Sequence, residues 1–89
     1  MAFTVTGIID GDTFETDGDW TLNKETGHHV RIIGIDTPER GQPGYDAATQ
    51  KLSDLVLGKS VELKGAVKVD RGRLVCKVYL DGTDIVDLL

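Results

Sequence analysis

The sequence predicts a mainly β domain with one helix, folded as a five-stranded Greek-key barrel of the OB type. Three apolar, alternating segments come first, one segment with helical spacing follows, and two more alternating segments come after it. In this β-β-β-α-β-β order the helix is expected to close one end of a small barrel. The length of 89 residues fits one domain, spanning residues 1–89, with a small core.

The first three strands are predicted from alternation and from the residues that interrupt it. Residues 3–9 alternate apolar and polar side chains around Gly7, which indicates a strand with a bulge or bend. Residues 13–16 predict a short second strand, and the apolar run 30–35 predicts a third. The polar stretch 17–29 is rich in turn residues and predicts a long hairpin excursion, mobile at its tip.

The second half of the chain predicts a helix and a hairpin. Apolar residues recur at helical spacing over Asp46–Leu57, and Gly58 stands where a C-terminal cap belongs. Residues 61–69 and 74–80 predict two strands joined by a turn. Residues 84–89 predict the start of another helix behind an acidic cap, ending after about one turn.

The composition limits the classes of partner. No apolar run approaches the ~20 residues of a membrane span, so we expect a soluble chain with no membrane partner. A net charge of -5 argues against nucleic-acid binding through a broad basic surface, so any such contact must be local. The N-terminal residues show no signal-peptide pattern. Cys76 cannot form an internal disulfide and is expected in the core.

Three polar segments stand where predicted strands end, and they carry the functional hypothesis. They are Asp10-Gly11-Asp12-Thr13, Arg31 with Asp36-Thr37-Pro38-Glu39, and Asp70-Arg71-Gly72-Arg73. Ordinary turn chemistry is one explanation for each. Together they offer a cation site, a base and two phosphate-binding arginines, which is what hydrolysis of a phosphodiester needs.

Asp12 and Asp36 are the candidate metal ligands. If the first and third strands are neighbours, as in a meander, these carboxylates meet at one end of the barrel. Two like charges about 4 Å apart cost about 4 kcal/mol at an effective dielectric near 20, so the pair favours a cation between them. An all-oxygen site with two acids fits calcium, bound weakly at ~10⁻⁴ to 10⁻³ M. The alternative is a turn with an exposed strand start.

Arg31, Arg73 and Glu39 are the candidate catalytic residues. Arg31 interrupts an apolar strand, where it either pairs with an acid or binds a phosphate through its planar fork. Arg73 follows the hairpin turn and is either a solvated turn residue or a second phosphate contact. Pro38 restricts the residue before it to an extended shape, which holds Glu39 at a fixed distance as a general base requires; the alternative is a solvated loop acid.

The remaining chemistry-bearing residues predict less. His28 and His29 are adjacent, so on a strand they are expected to point to opposite faces and not to share one metal ion. We interpret both as solvated hairpin residues. Trp20 either stacks on a base or covers the flank of the barrel, and the second is favoured.

The motifs Ile9–Thr13, Val30–Glu39 and Asp70–Arg73 resemble those of the staphylococcal nuclease family, in the same order and over nearly the whole chain. The resemblance implies an OB-fold, calcium-dependent nuclease that cleaves DNA and RNA and leaves 3′-phosphates, and we expect its substrate to be single-stranded or locally open. It implies that Asp12 and Asp36 bind Ca²⁺ through carboxylates and Thr37 through its carbonyl, with Asp10 acting through water. It also implies that Glu39 activates water while Arg31 and Arg73 bind the phosphate.

The sequence also departs from the family. The chain is expected to be a fragment lacking the family's C-terminal helices, so that exposed apolar surface favours self-association. The loop 40–44 is shorter than usual and the hairpin 17–29 is longer. Two other functions therefore stay open: a non-catalytic nucleic-acid or protein-binding module, and an inactive fragment of an active nuclease.

Overall fold

The computed structural model describes residues 2–89 as a closed barrel. The strands are β1 (Ala2–Asp10), β2 (Thr13–Leu22), β3 (Glu25–Ile32), β4 (Ser60–Asp70), β5 (Arg73–Leu80) and the short β6 (Thr83–Asp84). They follow the order β3-β2-β1-β4-β5-β6, and β3 also pairs with β5 in parallel, which closes five strands into a barrel. With the helix α1 (Tyr45–Val56), the part of the chain described here has the predicted OB-type architecture.

The paired strands of the β2–β3 hairpin are longer than the sequence predicts. Its ladder continues to Leu22 and Glu25 and turns at Asn23 and Lys24, which both have positive φ (50° and 69°), as a type I′ turn requires. The predicted second strand, 13–16, was therefore too short. The outward-facing residues of β2 are mostly polar, so their composition resembles that of a loop. Trp20 on the same strand is nevertheless only 3% exposed.

The third strand is shorter than predicted because its apolar run contains a turn. β3 ends at Ile32, and Gly34 follows with a φ of 97°, a conformation that ends an extended strand. The predicted range 30–35 was wrong at this end, since apolar composition alone does not reveal a change in backbone direction.

Trp20 belongs to the core, as the sequence favoured. Its indole Nε1 donates a hydrogen bond of 2.8 Å to the carbonyl of His29. Gly27 makes room for the ring, because a Cβ at this position would come within 2.9 Å of Cζ2 of Trp20.

The helix lies where the sequence predicts it, with bounds shifted by one residue. Leu52 and Val56 are fully buried and pack α1 against the barrel. Gly58 has a positive φ of 78°, but its N–H donates to the carbonyl of Val5 at 2.9 Å instead of capping α1. The helix end is thereby attached to β1.

The C-terminal segment forms a 3₁₀ turn, Ile85–Asp87, instead of the predicted α-helix. Its acidic cap is confirmed, since the Asp84 carboxylate accepts a hydrogen bond from the Val86 N–H at 3.1 Å. Cys76 is buried as expected, and burial raises the pKa of its thiol to about 12. Of the helical segments described, none combines the length and apolar character needed to cross a membrane.

Candidate active site

An open polar cleft of about 480 Å³ lies at one end of the barrel. Three segments form it: the β1–β2 turn, the end of β3 with the loop after it, and the β4–β5 hairpin. Its lining includes every candidate catalytic and metal-binding residue, in the set Asp10, Asp12, Arg31, Asp36, Thr37, Pro38, Glu39, Lys68, Asp70, Arg71, Arg73 and Val75.

Asp12 is held by the turn in which it lies. Its N–H donates to the Asp10 carboxylate at 3.1 Å, and its carboxylate accepts from the Thr13 hydroxyl at 2.9 Å. Its carbonyl accepts the Ile32 N–H at 2.8 Å, which attaches the turn to β3. The Asp12 carboxylate is therefore nearly buried and fixed in direction, and it is not the exposed strand start of the alternative interpretation.

The surroundings of Asp12 disfavour the charged form of its carboxyl group. Burial and the neighbouring Asp10 carboxyl raise the pKa of Asp12 above its usual value, while the Thr13 hydroxyl and Arg31 oppose the shift. The net effect is a carboxylate whose charge the folded chain by itself does not fully stabilise. A cation in the cleft would remove that penalty.

Arg31 joins the two candidate metal ligands. Its Nη2 lies 3.4 Å from Oδ2 of Asp12 and 3.6 Å from Oδ1 of Asp36. The Asp36 side chain is fully exposed, so its contact with Arg31 contributes little to stability. The two carboxylates thus converge on one guanidinium nitrogen.

The reason for this convergence differs from the sequence argument. β1 and β3 are not neighbours, because β2 lies between them and β1 pairs with β2 and β4. The carboxylates meet because Arg31 of β3 pairs with Thr13 at the start of β2, directly after Asp12. The expectation that the first and third strands are neighbours, as in a meander, was therefore wrong.

Arg73 enters the cleft from the β4–β5 hairpin. The turn residues Arg71 and Gly72 both have positive φ, and Asp70 pairs directly with Arg73 across it. The guanidinium of Arg73 donates to the Asp70 carboxylate at 3.2 Å and to the Asp70 carbonyl at 3.3 Å. Each candidate phosphate-binding arginine therefore has an acidic partner.

The loop after β3 carries Asp36, Thr37 and Glu39 along the cleft. The Glu39 N–H donates to the Gln42 side-chain carbonyl, and the Gln42 N–H donates back to the Glu39 carbonyl, both at 2.9 Å. Glu39 itself is exposed, with a fixed main chain and a side chain open to solvent. The Glu39 residue therefore lines the cleft while remaining open to solvent.

Lys68 and Arg71 also line the cleft, although the sequence assigned no role to either. Lys68 pairs with Val75, which also pairs with Arg31, so Lys68 and Arg31 flank one residue on the outer face of the barrel. A hairpin register drawn through the predicted turn would have identified Lys68. The two residues raise the number of cations beside the acids to four, Arg31, Lys68, Arg71 and Arg73.

A family model described as "Staphylococcal nuclease homologue" matches residues 29–89. The chain belongs to this family. The matched range contains Arg31, Asp36, Glu39 and Arg73, whereas Asp12 lies before it. Membership of the staphylococcal nuclease family supports a nuclease function.

Relatives from bacteria and yeast bear nuclease names. Over 82 residues the chain is 29% identical to an uncharacterized endonuclease from Escherichia coli O157:H7, covering 91% of the chain and 50% of that protein. Over 76 residues it is 38% identical to a micrococcal nuclease from Shigella flexneri, covering 84% and 40%. Over 60 residues it is 40% identical to the probable endonuclease LCL3 of Yarrowia lipolytica, covering 61% and 26%. The chain spans half or less of the length of these relatives.

Proposed function

We propose that this chain is a calcium-dependent endonuclease domain that hydrolyses DNA or RNA by in-line attack of water and leaves 3′-phosphates. One observation carries the proposal: two carboxylates, an exposed loop glutamate and two arginines converge on one open cleft. In the proposal the substrate is single-stranded or locally open, and the net charge of -5 confines phosphate attraction to the cleft.

The residues of the cleft fit a hard cation. In the proposal Asp12 and Asp36 bind it through carboxylates and Thr37 through its carbonyl oxygen, which makes the all-oxygen donor set that calcium prefers. The raised pKa of Asp12 supports this assignment, because a nearby cation relieves the penalty of its charge. When bound, the ion supplies positive charge that stabilises the phosphate as charge develops on it.

The ion pairs of Arg31 bear on its proposed role in phosphate binding. Arg31 contacts both Asp12 and Asp36, so the free cleft holds the arginine by the same oxygens that would bind the cation. Asp12 and Asp36 would hold the ion, which would supply positive charge in place of that of Arg31, and the guanidinium would then be free to bind a pair of phosphate oxygens. Arg73, held by Asp70, binds the same phosphate from the β4–β5 side.

Glu39 is the proposed general base. Its main chain is fixed by Gln42 while its carboxylate stays exposed at the cleft, which allows it to take a proton from the attacking water. A positioned base contributes ~10²–10⁴-fold, and arginines that stabilise a phosphoryl transition state contribute ~10³–10⁵-fold in the best cases.

The test is hydrolysis of a fluorescent single-stranded DNA with calcium, with magnesium and with a chelator. We expect calcium-dependent cleavage that falls by about 10²-fold or more in Glu39→Gln. Glu25→Gln, which removes an exposed carboxylate at the start of β3, far from the cleft lining, is the matched control and should cleave as the parent does. Equal cleavage by the parent and Glu39→Gln would overturn the assignment of the base.

The same samples test the non-catalytic alternative. A folded chain that binds the oligonucleotide but does not cut it in calcium would be a binding module, and the proposed activity would be wrong. End-group analysis of the products distinguishes 3′-phosphates from 5′-phosphates, and 5′-phosphates would contradict the proposed direction of attack.

A further inference from the structure

A second cluster of metal-ligating side chains lies on the outer face of the β2–β3 hairpin, outside the cleft. It consists of Glu15, His28 and His29, each of which offers one ligand atom within 4.8 Å of the others. Nε2 of His29 lies 3.0 Å from Oε1 of Glu15, and the two imidazole rings have centroids 4.5 Å apart. The expectation that the two adjacent rings point to opposite faces was wrong, because they lie side by side.

The backbone explains why the two rings stand together. Glu15 pairs with His29, but the β2–β3 ladder is interrupted between Glu15 and Trp20 and resumes at Gly27. His28 therefore lies opposite an irregular part of β2, where the alternation of a regular ladder does not apply. This interruption brings both rings to the Glu15 carboxylate.

We propose that Glu15, His28 and His29 form a binding site for a zinc-class divalent ion, with the fourth coordination position open to solvent. Imidazole nitrogens with one carboxylate suit zinc, nickel or copper, whereas calcium and magnesium prefer oxygen donors. The chemistry of this cluster therefore differs from that of the acidic cleft.

The geometry is close to that of a bound site. In a tetrahedral zinc site with bonds of ~2.0–2.1 Å, ligand atoms lie roughly 3.3 Å apart. The 3.0 Å between His29 and Glu15 already matches this spacing. The His28 side chain is half exposed, at 52%, so its ring has room to turn, and its ligand atom lies within 4.8 Å of the other two.

Two neighbours support the cluster. The Asp19 carboxylate lies 4.0 Å from Nδ1 of His28, which is beyond hydrogen-bond distance but places negative charge beside the cluster. In metal sites an outer carboxylate that does form this hydrogen bond orients the imidazole and leaves Nε2 for the ion. On β1, Gly7 leaves space for the Glu15 carboxylate, because a Cβ there would come within 3.0 Å of Oε2.

The test is titration of the purified chain with Zn²⁺ and with Co²⁺, in excess calcium so that the oxygen ligands of the cleft are occupied. The chain has only two histidines, so the ring signals in a proton NMR spectrum belong to His28 and His29. We expect one equivalent of Zn²⁺ to bind and Co²⁺ to shift the ring signals of both histidines. A shift in the signals of only one ring, or of neither, would overturn the site. This measurement needs no variant.

Variants then test which side chains bind the zinc ion. Loss of an outer partner of a metal site costs 10–100-fold in affinity, so loss of the direct ligand in Glu15→Gln or His29→Gln should weaken Zn²⁺ binding by about 100-fold or more. Glu25→Gln, on the same hairpin, should bind as the parent does. Zinc affinity that is unchanged in His29→Gln but lost in Asp36→Asn would assign the ion to the cleft and refute the proposal.

Discussion

At the scale of single residues, Asp12 shows how a site can lower the stability of the chain that holds it. Its carboxylate is nearly buried, beside the carboxyl of Asp10, and only Arg31 and the Thr13 hydroxyl oppose the resulting penalty. A raised pKa means that the folded state binds a proton more readily than the unfolded state. The contribution of Asp12 to stability is therefore greatest at acidic pH and is lost as the pH rises through its folded-state pKa.

Asp12→Asn should raise the melting temperature of the metal-free chain at neutral pH. The amide keeps an oxygen that accepts from the Thr13 hydroxyl but removes the buried charge beside Asp10. In calcium the order should reverse, because the variant loses a proposed ligand. Scanning calorimetry of both proteins in chelator and in calcium checks this, and a variant less stable than the parent in chelator would contradict the electrostatic account.

At the scale of elements, Gly11 connects three of them. A Cβ at this position would lie 2.8 Å from Cβ of Ala48 on α1 and 3.0 Å from Cβ of Thr37 in the loop after β3. The β1–β2 turn, the helix and the loop that carries Asp36 and Glu39 therefore pack together at a residue without a side chain. The helix positions the cleft through this contact.

Gly11→Ala should destabilise the fold by about 1–3 kcal/mol, the usual cost of overpacking. It should also reduce cleavage beyond the effect on folding, because the loop with Asp36 and Thr37 must move away. Gly18→Ala is a suitable control, since its Cβ would meet only ordinary contacts with Phe3 at 3.6 Å. Denaturant unfolding and initial cleavage rates measure the two effects, and equal results for both variants would exclude the proposed coupling.

At the scale of the whole molecule, ligand linkage connects the cleft to stability. The structure has a small core, so ions that bind the folded state should raise its melting temperature markedly. Calcium with a nucleotide bisphosphate at a hundredfold excess over Kd adds about 2.7 kcal/mol. Thermal unfolding with and without both ligands measures the shift. An unchanged melting temperature would count against the site, and Asp36→Asn should remove most of the shift.

How much of this molecule the sequence predicts depends on the kind of information each feature needs. The order of elements and the buried positions follow from alternation and helical spacing. The predictions of the barrel and of buried positions for Trp20 and Cys76 were therefore correct. The end of β3 at Ile32 was missed because it is set by the positive φ of Gly34. The end of β2 at Leu22 was missed because the strand is polar and resembles a loop in composition. The approach of the His28 and His29 rings depends on an interruption of the β2–β3 ladder, which local patterns do not encode, whereas the place of Lys68 follows from the register of the β4–β5 hairpin once its turn is located.

The parallel pairing of β3 with β5 has a consequence for how the chain folds. Arg31 and Arg73 come from these two strands, which are separated along the chain by the loop, α1 and β4. A non-local pairing forms only after the entropy of closing a long loop has been lost, which makes it a slow step of folding. A partly folded chain therefore holds the two arginines apart, and phosphate binding that needs both becomes a reporter of barrel closure.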